Sequence, residues 1–276
     1  MLRRLRKQGH KEASFRIRFQ ERKSVLRGVP FFRRVLLVRL VLLDELRQLL
    51  SLGGAMAEEW EAASTIAELY EAIKDCGRCP LGDTRTNLVL GTGDEQAEIM
   101  FVGEAPGFHE DRQGIPFVGP AGQLLDQLLG SIGLERSQVY IANTLKCRPP
   151  ENRDPQPQEL ATCTPFLFKQ IELIGPRIIC TLGNHATKTL LVTNTGITQL
   201  HGKLMRKGGL AYVPLFHPAA ALHKPPLKST LVEDFQRLRE HLESERVRWR
   251  EMAEAGGKDA EAGSPPDKEP EQMGLF

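Results

Sequence analysis

The sequence predicts an α/β fold of three layers, α/β/α, around a central, mostly parallel sheet. Three observations lead there. Short apolar runs alternate with helical segments through the middle of the chain, the order that builds parallel sheets. The residues following those runs are rich in Gly, Pro, Asn and His, as expected where open α/β sheets bind ligands beyond their strand ends. The chain has 276 residues, 41% hydrophobic and 26% charged, which suits one domain of about 200 residues with tails.

Taken in order, Glu58–Asp75 predicts a helix with Trp60, Ile66, Leu69 and Ile73 near one face. Ala97–Gly103 predicts a buried strand, Gly122–Leu129 a helix, and Val139–Lys146 a second strand. Pro157–Ile174 predicts a helix with Pro157 in its first turn. Arg177–Leu182 predicts a third strand, with Asn184 capping the helix that follows. Lys203–Leu215 suggests a hairpin around Gly208-Gly209 that leads into a fourth strand, Tyr212–Phe216. A last helix runs from Pro225 to about Arg250.

The net charge of +2 conceals a division. Residues 1–55 hold 14 Lys and Arg against 4 Asp and Glu, which leaves 23 against 31 for residues 56–276. The body is mildly acidic, so nucleic-acid binding by it needs a local basic patch. The expected division is a basic extension over 1–55, a globular domain over 56–250 and a tail over 251–276. The extension has three readings: an arm for nucleic acid or membrane, a signal peptide, or upstream sequence outside the native protein, with Met56 as the start. Arg39 within apolar Val35–Leu43, and Asp44, Glu45 and Arg47 after it, argue against a signal peptide. No uninterrupted apolar stretch reaches about 18 residues, so no membrane span is expected.

Cys76 and Cys79 form a C-x2-C pair, and Cys147 and Cys163 a looser pair with fifteen residues between them. Five cysteines in this length are too sparse for a disulfide scaffold. A tight pair plus a distant pair can close a four-thiolate cage around zinc or an iron–sulfur cluster, and spacing does not choose between them. Cys180, inside an apolar strand, reads as a core thiol.

Three unusual residues stand at equivalent strand ends. Glu104 follows the first strand, Asn143 opens Asn143–Pro150 after the second, and His217 opens His217–Leu222 after the fourth. Each alone reads as a cap or turn residue; together they point to one cleft. The loop after the first strand lacks G-x-x-x-x-G-K-[ST] and is not a P-loop.

Gly103-Glu104-Ala105-Pro106-Gly107, Gly114 through Gly122, Asn143 through Asn152 and His217-Pro218 together resemble the family 4 uracil-DNA glycosylases, over about residues 60–245. The four cysteines match that family's [4Fe–4S] ligands in order and spacing. The resemblance implies a uracil-DNA glycosylase-like fold and a repair enzyme that flips uracil out of single- or double-stranded DNA. It would then hydrolyse the N-glycosidic bond, starting base excision repair of deaminated cytosine. It implies catalytic roles for His217, Asn143, Glu104 and Glu110, and a uracil pocket of Phe117, Asn143, Glu104, Ala105, Glu110 and His217. Phe117 would stack on uracil, and the Asn143 carboxamide would pair with N3–H and O4. His217 would steady charge on O2, Glu104 would position water or substrate, and Glu110 would line the C5 side against thymine's methyl. Cys76, Cys79, Cys147 and Cys163 would hold a structural cluster, with Arg148 and Arg153 nearby for phosphates.

The segment Ala219–Lys224 has two readings: a loop whose Leu222 fills the gap left by the flipped base, or a helical start packed on the core. Lys224 and Lys228 suit phosphate contacts. The resemblance further implies a monomer in the bacterial cytoplasm, associated with the nucleoid. Three rivals stand beside it. A uracil-DNA crosslinking relative would carry an inserted basic loop, but Phe108–Ile115 alone separates Gly107 from Pro116. A non-catalytic DNA-binding module would have replaced Asn143 or His217. An interaction protein would hold zinc in the four thiolates.

The tail is polar and rich in Pro and Gly over residues 253–270, the composition of a disordered segment. It ends in Gln272-Met273-Gly274-Leu275-Phe276. That pattern resembles the peptide with which bacterial repair and replication proteins bind the sliding clamp, with chance as the competing reading. Gln272 would bond the pocket rim while Met273, Leu275 and Phe276 fill it.

Overall fold

The computed structural model describes residues 58–261. The basic extension and the clamp-peptide residues Gln272, Met273, Leu275 and Phe276 lie outside the described residues. The chain divides into two units, Leu50–Arg246 and a second made of Met1–Leu49 with Val247–Phe276. The sheet and the site belong to the first; the described residues of the second, 247–261, are helical.

The strands are β1 (Thr92–Gly93), β2 (Ile99–Gly103), β3 (Tyr140–Asn143), β4 (Ile178–Leu182), β5 (Met205–Lys207) and β6 (Leu210–Leu215), in the sheet order β1-β3-β2-β4-β6-β5. The inner four, β3, β2, β4 and β6, are parallel, and the edges β1 and β5 are antiparallel. Every residue of β2, β3 and β4 is buried, as unbroken apolar runs require when helices cover both faces.

The helices are α1 (Glu59–Ala62), α2 (Ile66–Ile73), α3 (Leu81–Thr84), α4 (Phe108–Gln113), α5 (Pro120–Ser131), α6 (Pro157–Ile174), α7 (Gly183–Leu191), α8 (Ile197–Leu200), α9 (Pro218–His223) and α10 (Pro225–Glu261). Strand alternation sorts the core into two. Met100, Val102, Ala142, Ile179 and Tyr212 pack with Leu69 and Ile73 of α2 and Leu167 and Ile171 of α6. Phe101, Ile141, Cys180 and Val213 pack on the other face with Leu125 and Leu129 of α5 and Phe235 of α10. The result is the three-layer α/β/α arrangement with a mostly parallel sheet.

Four expectations change in detail. The helix expected over Glu58–Asp75 is two, because the Thr65 hydroxyl accepts from the Glu68 amide at 3.1 Å and starts a new helix at Ile66. Phe108–Gln113, read as loop, is helical between Gly107 and Gly114, the latter at φ 72°. Asn184 does not cap α7; its Oδ1 accepts from Ile197 N–H at 2.8 Å and fixes the start of α8 instead. The last helix continues to Glu261, through the Ala- and Glu-containing start of the segment expected to be disordered. The hairpin forms as expected, with Gly208 and Gly209 both at positive φ (62° and 87°), the geometry of a tight two-residue turn.

Candidate active site

The carboxyl ends of β2, β3, β4 and β6 meet along one edge of the sheet, and the strand-end residues meet there. Gly103 and Asn143 are register partners across β2 and β3. A Cβ at position 103 would stand 2.3 Å from Asn143 Oδ1 and 2.7 Å from the Phe117 ring, so only glycine lets the carboxamide and the ring approach each other here. Asn143 is buried, and its Oδ1 is the one buried side-chain N or O among the described residues without a hydrogen-bond partner. An unmet acceptor in a closed site costs about 1–3 kcal/mol, so its persistence argues for a donor that arrives from outside.

Phe117 is held in a conformation that side-chain-bearing residues avoid, φ 53°. Its surroundings enforce it. The Arg136 guanidinium donates to the Phe117 carbonyl at 3.0 Å and also to the Pro116 carbonyl. Glu110 Oε1 accepts from the Val118 and Gly119 amides, each at 3.0 Å. Gly122 is obligatory, since a Cβ there would overlap the Phe117 carbonyl. The outcome is a buried ring that, like the Asn143 carboxamide, stands over Gly103. Glu110 lies at the site, but one of its oxygens is committed to this loop.

His217 caps α9. Its Nδ1 accepts from Ala219 N–H at 3.1 Å, which leaves Nε2 as the protonated nitrogen of the neutral ring. Burial pushes its pKa down to about 4, against a weaker opposing pull from Glu110, so the imidazole is neutral near pH 7. Its ring lies 5.6 Å from that of Phe117, with 27° between the planes.

Glu104 belongs to a neighbouring group. Its carboxylate is 3.9 Å from His185 Nε2, which is 3.8 Å from Asp154 Oδ1. Burial is the main cause raising the Glu104 carboxyl above its usual range, with His185 opposing and Asp154 adding. Sequence reasoning missed His185, though its signal is the one used for the others: it stands just beyond the end of β4. Ala105, next to Glu104, is partly buried and packs against the α2/α6 core.

The four expected cysteines gather on that same side of the sheet, whereas Cys180 lies in the opposite core. None forms a disulfide. Cys147 and Cys163 are buried, and burial pushes the Cys163 thiol up to about 12 and the Cys147 thiol upward, with Cys79 among the neighbours that add to both shifts. The bare Cys147 and Cys163 thiols keep their protons, which a metal bound here would have to displace. Cations stand ready to balance thiolate charge: Arg85 Nη1 is 3.4 Å from Cys147 Sγ and donates to the Cys76 carbonyl at 2.6 Å. The Lys146 amide donates to Cys163 Sγ at 3.3 Å. The same Lys146, wholly buried, donates its ammonium to the Asn143 carbonyl at 2.7 Å and to Gln170, joining the corner to the pocket. Among the described residues, the ligating side chains that close within 4.8 Å as a group of three or more are Glu104, Asp154 and His185.

The residues expected to meet DNA separate. Arg148 Nε donates to Asn152 Oδ1 at 2.8 Å. Arg153 clasps the buried Glu159 carboxylate at 2.6 and 3.0 Å, an ion pair that anchors the start of α6. Leu222 is 46% exposed while neighbouring Ala221 is buried, so α9 packs on the core and still presents its leucine outward, beside exposed Lys224. No helix of the described residues is long and apolar enough to cross a membrane.

Comparison with known proteins places the chain in a family. The family model described as the Uracil DNA glycosylase superfamily matches residues 90–242. The chain is 46% identical to the type-4 uracil-DNA glycosylase of Sulfurisphaera tokodaii over 185 residues, 64% of this chain and 84% of that one. It is 42% identical to that of Saccharolobus solfataricus over 205 residues, 71% of this chain and 95% of the other. It is also 42% identical to that of Thermotoga maritima over 179 residues, 63% and 93% of the two chains. With Asn143, Phe117 and His217 assembled at the strand ends and such similarity over most of the relatives' length, the chain belongs to the type-4 uracil-DNA glycosylases of the uracil-DNA glycosylase superfamily.

Proposed function

We propose that this DNA repair glycosylase recognises uracil through Asn143, stacks it on Phe117 and expels it with the help of His217. The observation that carries the reading is the unpartnered Asn143 Oδ1, buried beside Gly103 and the Phe117 ring. Uracil N3–H is the donor that atom lacks, and the carboxamide NH2 can donate to O4. Cytosine offers a bare N3 and an amino group instead, leaving two like groups opposed in a closed site. As the glycosidic bond breaks, its electron pair leaves with the base and the sugar becomes oxocarbenium-like. The neutral His217 donates Nε2–H toward O2, where that charge collects; a preorganised donor of this kind acts on the transition state. Water then adds at C1′ and its lost proton ends on the departed uracil anion, with Glu104 and His185, 3.9 Å apart beyond β2 and β4, the polar pair that would orient it. Glu110 holds the loop that carries Phe117.

Cys76, Cys79, Cys147 and Cys163 would hold a [4Fe–4S] cluster whose contribution when bound is to pin the loops around Asn143. Leu222 and Lys224 on one side and Arg148 on the other would meet the strand, with Arg153 acting through Glu159. Residues 56–250 would form the catalytic domain, acting as a monomer in the bacterial cytoplasm. Gln272, Met273, Leu275 and Phe276 would bind the sliding clamp, a reading supported by the sequence pattern alone.

The test is release of free uracil from a single-stranded uracil-containing oligonucleotide by purified protein without added metal. Turnover with free uracil supports the reading; a covalent protein–DNA adduct without free uracil replaces it with the crosslinking alternative, and neither product rejects it.

A further inference from the structure

We propose that Phe108, with Arg112 and Arg148 over its ring, is a stacking shelf for the nucleotide adjoining the flipped uracil on the same strand. The proposal rests on the uracil-excision reading and adds a subsite to it. Phe108 is 47% exposed at the start of α4. A single exposed Phe is ordinary; its company is not. The Arg112 and Arg148 guanidinium carbons lie 5.6 and 5.2 Å from the ring centroid. Arg112 is one turn further along the same helix, so its approach is local. Arg148 comes from the loop after β3, remote in sequence, and the Nε bond to Asn152 holds it in place. His109 packs edge-on to Phe108, with centroids 5.5 Å apart and planes at 80°.

The shelf adjoins the pocket. Gly107 precedes it, and Glu110, two residues on, supports the Phe117 loop. His109 Cδ2 is 3.4 Å from where a Gly119 Cβ would stand. A half-exposed apolar ring beside two cations matches a nucleotide, whose base stacks on the π face while its phosphate meets the guanidiniums. An acidic peptide would use the charges and leave the ring unused. In a body that carries more acidic than basic residues, such a local pair is the kind of patch nucleic-acid binding requires.

The experiment compares the wild-type chain with Phe108→Ala and Phe108→Trp on two single-stranded substrates. One has natural bases on both sides of uracil; the other has abasic tetrahydrofuran residues there. Phe108→Ala should lower kcat/KM about tenfold on the first strand and change it less than about twofold on the second, while Phe108→Trp keeps the wild-type value. Fluorescence anisotropy with a uracil-free strand reads the shelf without excision, and Phe108→Ala should weaken that affinity by a similar factor, about tenfold. Unchanged kcat/KM and affinity overturn the shelf. Equal losses on both substrates overturn it as well, since the ring would then act on the fold rather than on a flanking base. If the wild-type chain releases no uracil, the excision reading fails, and the uracil-free strand still decides the shelf.

Discussion

The proposed uracil pocket and the cysteine corner lie at the two ends of one short stretch, Asn143 to Cys147, and are built on opposite rules. In the pocket, groups wait. Asn143 Oδ1 has no partner, Phe117 sits at φ 53° and His217 is kept uncharged. At the corner, groups are already engaged: Arg85 with the Cys76 and Lys74 carbonyls and Cys147 Sγ, and the Lys146 amide with Cys163 Sγ. A site whose partner comes and goes keeps hydrogen-bonding capacity unmet, whereas one whose partner stays is tied into its surroundings. Lys146 joins the two, because its backbone serves a sulfur and its ammonium holds the Asn143 carbonyl.

The largest effect should follow from breaking the corner. Cys147→Ala should lose broad visible absorbance and soluble folded protein together, because metal affinity at such a site is folding free energy. Zinc as the sole metal in anaerobically purified wild-type protein would contradict the cluster assignment.

Breaking the pocket should separate rate from stability. His217→Ala and Asn143→Ala should each slow single-turnover excision by about two to three orders of magnitude, the scale of one lost preorganised donor. Cluster absorbance should be unchanged. Asn143→Ala should melt no lower than the wild type, since it deletes an acceptor that has no partner. A marked fall in Tm for that variant would mean the atom is not orphaned in solution.

The link between the regions should show an intermediate effect. Lys146→Met leaves the Asn143 carbonyl and Gln170 Oε1 buried without their donor, which should reduce unfolding stability by about 1–3 kcal/mol in urea titrations. Excision should slow with the cluster retained; unaltered stability and rate would sever the proposed connection.

The effect that is smallest near neutral pH is the titration of His217. His217 titrates near 4 in the folded chain against an ordinary 6.5, so the unfolded chain binds the extra proton between those values. Its contribution to stability is therefore complete above pH 6.5 and is lost as pH falls toward 4. Melting temperatures of wild type and His217→Gln should run parallel from pH 7 to 8 and converge on acidification; parallel curves throughout would show that the imidazole is not desolvated.

Much of this was legible without coordinates, for identifiable reasons. Unbroken apolar runs such as Ile99–Val102, alternating with helical segments, read as strands covered on both faces, which implies the parallel sheet. The parallel order in turn places Glu104, Asn143 and His217 at one edge. Cysteines in turn-like sequence announced a thiolate corner, and Cys180 in an apolar run announced itself as core. Short helices were less legible: α4 is six residues long between glycines, and Thr65 divides what periodicity read as one helix.

The chain's own order of residues thus determined the layers, the edge that carries the site and the chemistry available there, because those depend on local pattern and on strand direction. Only the tertiary structure decided which atoms meet. It brought Gly103 beside Asn143, turned Phe117 into the left-handed region under the hold of Arg136 and Glu110, and tied Arg153 to Glu159. It also set His185 against Glu104 and sent the Asn184 side chain to Ile197. Such pairings rest on strand register and on clearances of a few tenths of an ångström between segments distant in sequence, and close packing alone sets those.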